Sequence, residues 1–207
     1  MRNWFLGLLM LFIGSVASAT EPVEGKDYIL VKPQAPTSSE KIDVIDFFSY
    51  TCGHCFRLSP LIETWNKQLP QDVHLIRSPV AWDGSSQFLA NVYFTFEAMN
   101  HLDDLHPAFW QDIMAGKITS SDSMNQWLKS HGIEPKTWNE VYESFAVKLS
   151  TQQAAQRWQD YQLDATPYIG VAGKYLTAPH LAGSRQKTIE VLNWLIEKER
   201  KDRQKNH

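Results

Sequence analysis

The apolar run Ile42–Phe48 is followed almost at once by the only two cysteines of the chain, Cys52 and Cys55, with Gly53 and His54 between them. The run is rich in β-branched and aromatic residues (Ile42, Val44, Ile45, Phe47, Phe48), the texture of a buried strand. Beyond the cysteines, Leu58, Leu61, Ile62, Trp65 and Leu69 recur at helical spacing. The chain must therefore turn from strand to helix at its two thiols. Thr51 is expected to cap that helix, with Cys52 at or beside its N-terminus and Cys55 one turn in.

Three roles are open to such a pair. A disulfide staple closing so short a loop removes little entropy from the unfolded chain and stabilises weakly. A structural zinc site needs four ligands, commonly two Cys-x-x-Cys pairs or Cys and His pairs, and here there is one pair. Only His101 and His106, followed by Pro107, come near a ligand spacing among the other histidines. Redox chemistry fits the context better. Backbone N–H groups at a helix start are unpaired and partly positive. They stabilise a thiolate at Cys52, while a more buried Cys55 keeps its proton and resolves mixed disulfides. His54 between them can favour the charged sulfur as an imidazolium. A fall of the Cys52 pKa from ~8.5 to ~5 would stabilise the reduced form by roughly 2.7 kcal/mol at pH 7, about 60 mV.

The remainder bounds the setting. With 207 residues, 43% apolar content and 12% aromatic content, the chain is that of a packed globular protein. Its formal net charge of −3 speaks against a nucleic-acid binder. Residues 1–19 carry one basic residue, Arg2, an apolar run from Trp4 to Ile13 and the small-x-small end Ala17-Ser18-Ala19. That is the pattern of a signal peptide cut near Ala19, so the protein is expected to be exported to an oxidising compartment. Val73–Val80 reads as a second core strand. Helical texture then runs from Ser85 to about Ala146. Ser85 or Ser86 is expected to cap the first helix, Pro107 to open the next, and Ser121 to cap a third that stops at Gly132. Trp110, Trp127, Trp138 and Phe145 are expected in the core of this unit. A polar helix over Thr151–Gln162 leads to Thr166-Pro167, the strand Tyr168–Ala172 and a turn at Gly173. An amphipathic C-terminal helix buries Ile189, Leu192, Leu195 and Ile196, and the charged end from Glu199 is expected to be solvated.

The segments "EPVEGKDYILVKP", "VIDFFSYTCGHC" and "SFAVKLSTQQAAQRWQDYQLDATPYIGVAGKY", with the C-terminal helix, resemble the thioredoxin superfamily. Within it they resemble the DsbA type of periplasmic thiol-disulfide oxidoreductase. The resemblance spans nearly the whole chain after residue 19. It implies an α/β class, a thioredoxin fold with an inserted helical domain. Residues 20–82 form its first part, 83–148 the insertion and 149–207 its second part. It implies that Cys52 and Cys55 are the redox disulfide and that Pro167 is cis and packs against them. Thr166 would then be free to pair with an extended substrate. Asp46 matches an acid that the superfamily buries behind the pair, usually with a lysine partner. Such a carboxylate can take the Cys55 proton through water.

Two positions depart from the commonest pattern. Gly53 stands where proline is usual, and Thr166 where valine is usual. Both resemble disulfide isomerases, so the direction of exchange stays open between oxidase and isomerase. The isomerase reading would require a reducing partner and a homodimer. The resemblance also implies unfolded or partly folded secreted proteins as clients, and reoxidation by a membrane quinone-linked oxidase of the DsbB type. No metal and no organic cofactor is required. A chaperone-like peptide binder with an incidental disulfide is the non-enzymatic alternative. A metal carrier using the reduced pair stands behind it.

Overall fold

Strand β2 (Ile42–Phe48) is buried at all seven positions, as its composition requires, and it organises the sheet. The computed structural model describes residues 20–37 and 40–205. The expected signal peptide, residues 1–19, lies outside them. The sheet has the order β1-β5-β4-β2-β3, with β1 (Ile29–Leu30), β3 (Val73–Pro79), β4 (Tyr168–Val171) and β5 (Tyr175–Thr177). β2 runs parallel to β3 through the crossover helix α1 (Gly53–Asn66) and antiparallel to β4. β4 and β5 form a hairpin, and β1 closes the edge antiparallel to β5.

Five helices lie between β3 and β4: α2 (Gly84–Ala98), α3 (Leu102–Met114), α4 (Ser121–Ser130), α5 (Pro135–Tyr142) and α6 (Phe145–Asp160). After the hairpin come a short α7 (Pro179–Ala182) and a long α8 (Arg185–Lys205). The expected boundary at 148–149 falls inside α6, which is continuous and packs on both α2 and β3.

Alternation along β2 separates two faces. Phe48 joins a core with Tyr50, Cys55 and the insertion residues Val92, Phe96, Phe109 and Trp110. Phe47 and Ile45 pack on the opposite side with Trp158, Tyr161 and Leu163. Cys55 is thus sealed by side chains from the helical unit. The Tyr161 ring also explains Gly170: an added Cβ would come within 2.4 Å of it.

Several local expectations are corrected. Asp83, not Ser85 or Ser86, is the N-cap of α2, and it forms a capping box with Ser86. α3 starts at Leu102 with Asp103 and Asp104 in its first turn, where the helix dipole favours acids, so Pro107 lies inside it. Ser120 rather than Ser121 caps α4, and Gly132 follows it at positive φ. Ser144 starts α6 afresh, and Phe145, just behind that cap, is 80% exposed rather than core. Trp110, Trp127 and Trp138 are buried. At the C-terminus Glu199 is only 2% exposed, because Lys174 and Arg203 both reach its carboxylate.

Candidate active site

The thiols sit where β2 hands over to α1. Cys52, not Thr51, is the N-cap, with extended backbone (φ −90°, ψ 107°). Its Sγ takes the place of a capping oxygen and accepts from the Cys55 backbone N–H at 3.2 Å. Thr51 instead meets Ser49, with the two hydroxyls 3.0 Å apart. Cys52 is partly exposed and Cys55 is buried, and both are free thiols here. The side chain that can be reached is therefore also the one that faces the helix donors.

These surroundings split the two acidities. The Cys52 pKa is lowered to about 5, first by a hydrogen bond from the Cys55 thiol. Burial works against this, while the Thr166 side chain and the N–H groups of Cys55 and His54 reinforce it. Cys55 is pushed strongly upward, first because its proton is held by the Cys52 sulfur and then because it is desolvated. One thiol is an anion near neutral pH and its neighbour keeps its proton.

The remaining expected residues lie around this pair. The Thr166–Pro167 bond is cis. The Thr166 carbonyl lies 3.6 Å from Cys52 Sγ, although the two are 114 positions apart. The β4 ladders begin only at Tyr168, so Thr166 stands ahead of the paired region. Gly53 is the first residue of α1, and an added Cβ would meet only the tips of Arg57 and Met114. His54 contributes its backbone N–H to the sulfur, while its exposed ring turns to Arg57, with Nδ1 3.2 Å from Nη2.

Asp46 is 4% exposed, on the face of β2 that carries Phe48. Burial raises its pKa to about 6, Arg77 opposes the rise, and Glu63 and Cys52 add to it. The partner on the adjoining strand is an arginine where the resemblance suggested lysine: Arg77 stands opposite Asp46 in the β2–β3 register.

Four residues near the site were not singled out as functional from sequence: Tyr50, Glu63, Arg77 and His106. Arg77 lies 2.7 Å from Glu63 Oε1 and 3.0 Å from His106 Nε2, whose Nδ1 lies 2.7 Å from Tyr50 Oη. A charged residue inside the apolar strand "VHLIRSPV" was the one visible signal, since such a charge needs a partner. His101 and His106, weighed as a metal pair, take separate partners: His101 meets Asp104 and His106 is buried.

The chain as a whole is similar to known proteins. The chain is 34% identical over 200 residues to the thiol:disulfide interchange protein DsbA of Bordetella pertussis, covering 95% of this chain and 93% of that protein. It is 31% identical over 206 residues to DsbA of Pseudomonas aeruginosa, covering 97% and 98%. The crystal structure of Pseudomonas aeruginosa DsbA superposes with a TM-score of 0.82 at 30% identity, over 88% of this chain and 97% of that one. The oxidoreductase NmDsbA3 of Neisseria meningitidis matches with a TM-score of 0.76 at 26% identity, over 88% and 100%. No protein-family model matches the chain.

Proposed function

The chain belongs to the DsbA family of thiol:disulfide interchange proteins, and from that premise we propose which residues carry its exchange reaction and in what order. It is a thiol-disulfide oxidoreductase that introduces disulfide bonds. The observation that carries the residue assignment is the contrast between a partly exposed, donor-rich Cys52 and a buried, protonated Cys55.

In the oxidised protein a client thiolate attacks Sγ of Cys52. The Cys52–Cys55 bond breaks, and the bonding pair leaves with Cys55, whose sulfur takes up a proton. Asp46, with a pKa near neutrality, supplies that proton through water. The client is now joined to Cys52 by a mixed disulfide. It is held by pairing along Thr166, which stands ahead of the β4 ladders. A second client thiolate attacks the client sulfur, and Cys52 departs as a thiolate. A low-pKa thiol is the better leaving group, so the acidity of Cys52 drives this step. The client leaves oxidised and the protein reduced by two electrons. Reoxidation reverses the roles: Cys52 attacks a partner disulfide, Asp46 takes the Cys55 proton, and Cys55 closes the ring.

Residues 83–148 serve as the helical insertion in this reading, and the protein acts in the periplasm after cleavage near Ala19, a placement supported by the pattern of residues 1–19. Unfolded secreted proteins are its clients, and a DsbB-type membrane oxidase is its source of oxidising equivalents. The deciding measurement is the reduction potential, by equilibration against glutathione. A strongly oxidising value is expected. A value near that of thioredoxin, about −270 mV, would replace this reading with an isomerase or reductant made by Gly53 and Thr166.

A further inference from the structure

His106 sits on α3 in the helical unit, 4% exposed, ringed by Phe48, Tyr50, Tyr93 and Trp110. Its two nitrogens meet Tyr50 Oη at 2.7 Å and Arg77 Nη1 at 3.0 Å. A guanidinium carries donors only. Nε2 must therefore accept, and the one proton of a neutral imidazole must sit on Nδ1 and point to Tyr50 Oη. A protonated ring would set N–H against N–H at Arg77. Burial and the Arg77 charge both oppose protonation and hold the pKa down at about 3.

Arg77 and Asp46 are register partners, so their side chains leave the same face of the sheet. The guanidinium is turned elsewhere: Nη1 donates to His106, and Nη2 lies 2.7 Å from the Glu63 carboxylate, although among the described residues Nη2 makes no hydrogen bond. Among the described residues, none of the ion pairs within 4 Å includes Asp46. The charges felt by Asp46 come from Arg77 on β3, Glu63 on α1 and Cys52 at the helix start, and Tyr93 on α2 also lies within its field.

We propose that His106 is a positioning residue for disulfide exchange: with its proton on Nδ1, it donates to Tyr50, accepts from Arg77, and so keeps the guanidinium from closing on Asp46. The consequence for the exchange rate rests on the proton-transfer role of Asp46 given above; the positioning itself does not. The helical unit thereby reaches into the redox strand through one imidazole. A direct Arg77–Asp46 pair would pull the carboxyl pKa down and shrink the protonated fraction available near neutral pH.

Nitrogen NMR on the purified wild-type protein tests the tautomer without any mutation. The His106 proton is expected on Nδ1, with the ring still neutral at about pH 5. A proton on Nε2, or a ring that is charged there, overturns the proposal. The second test follows the Asp46 carboxyl carbon through a pH titration in wild type, His106→Leu and His106→Gln. In His106→Leu the guanidinium loses an acceptor and turns to Asp46, and the midpoint falls by about one pH unit or more. In His106→Gln the side-chain oxygen can accept from Arg77 and the amide can donate to Tyr50, so the midpoint stays near wild type. An unchanged or raised midpoint in folded His106→Leu refutes it. Should that variant not fold, the wild-type tautomer and the glutamine titration decide. A midpoint that falls while the pH profile of exchange does not follow would refute the Asp46 role and leave that of His106 standing.

Discussion

Two acids close to the strand–helix junction are displaced in opposite directions. Cys52, at the rim, begins as a weak acid and is strengthened until its pKa lies at about 5. Asp46, buried in the strand behind, is ordinarily the stronger acid of the two and is weakened until its pKa lies at about 6. The wide gap that ordinarily separates a thiol from a carboxyl closes, and the two groups end with similar acidities. Both groups pay a desolvation penalty, so burial alone does not explain the difference. What separates them is donors. Cys52 receives hydrogen bonds from the Cys55 thiol and from N–H groups at the start of α1, and these outweigh its burial. Asp46 has an arginine opposite it that donates to His106 and lies against Glu63. A low-dielectric site strengthens an acid only when it also supplies partners for the anion.

The largest test of this contrast is to remove the sulfurs themselves. Cys52→Ser is expected to abolish exchange, because no thiolate remains at the reachable position. Cys55→Ser is expected to accumulate mixed disulfides, visible as client adducts on non-reducing gels. Full activity in both variants would overturn the mechanism.

Asp46→Asn attacks the other half. The folded pKa of Asp46 is raised from 3.8 to about 6. For a group raised on folding, stability is fully present below the unfolded pKa and lost as pH rises through the folded one. The wild type should therefore lose about 3 kcal/mol between roughly pH 4 and pH 7 on this account. Asn carries no such charge and should recover about that amount at pH 7, measured by denaturant unfolding, with no advantage near about pH 3. The same variant should slow exchange by about 10²-fold, the lower range for a lost proton-transfer group. A stable but fully active variant would leave Asp46 as a structural residue.

A pH series on the reduced and oxidised forms sharpens the Cys52 side. Its pKa is depressed on folding, so the stability it contributes is present above the unfolded value and lost as pH falls through about 5. Only the reduced form has a thiol to titrate. The reduced form should be the more stable at neutral pH, and its advantage should shrink as the pH falls from the unfolded thiol's value and be nearly gone at about pH 5, checked by parallel unfolding curves. A gap that does not change with pH would place the driving force elsewhere, in strain of the oxidised form.

The smallest effect is expected for Gly53→Pro. The position is the first of α1, where proline is favoured, and Cys52 before it is already extended. An added Cβ would meet Arg57 Nη1 at 3.3 Å and Met114 Cε at 3.7 Å, both ends of flexible side chains. The N–H groups that hold the thiolate belong to His54 and Cys55, so losing that of Gly53 removes none of them. Stability should rise by about 0.4–1 kcal/mol, and the Cys52 titration followed by thiolate absorbance should barely move. A large displacement would show that the residue between the cysteines acts through more than backbone donors.

How much of this was legible in the chain follows from the range of each interaction. The strand before Cys52, the helix after it and the burial of Leu58, Ile62 and Trp65 rest on neighbours in sequence, and periodicity reported them. The caps were read one to three positions off, at Thr51, at Ser85 or Ser86, and at Ser121. Several residues with capping side chains stand together at each start, and only the backbone angles choose among them. Strand β5 is three residues long, too short for alternation to show. Phe145 is apolar yet exposed, and Glu199 is charged yet buried, because the neighbours that decide this come from other elements.

The sequence by itself determined the chemistry available: two thiols at a helix start, an acid in the strand behind them and a Thr-Pro to flank them. The first is a matter of residue type and local spacing, whereas the places of Asp46 and of Thr166-Pro167 were implied by the resemblance to the DsbA type. Only the tertiary structure decided how acidic those groups are. The Thr166 side chain acts on Cys52 from far along the chain, Arg77 stands opposite Asp46 through strand register, and His106 comes from the helical unit to accept from Arg77. Electrostatic and hydrogen-bond energies depend on distance and burial in space, which no spacing along the chain records.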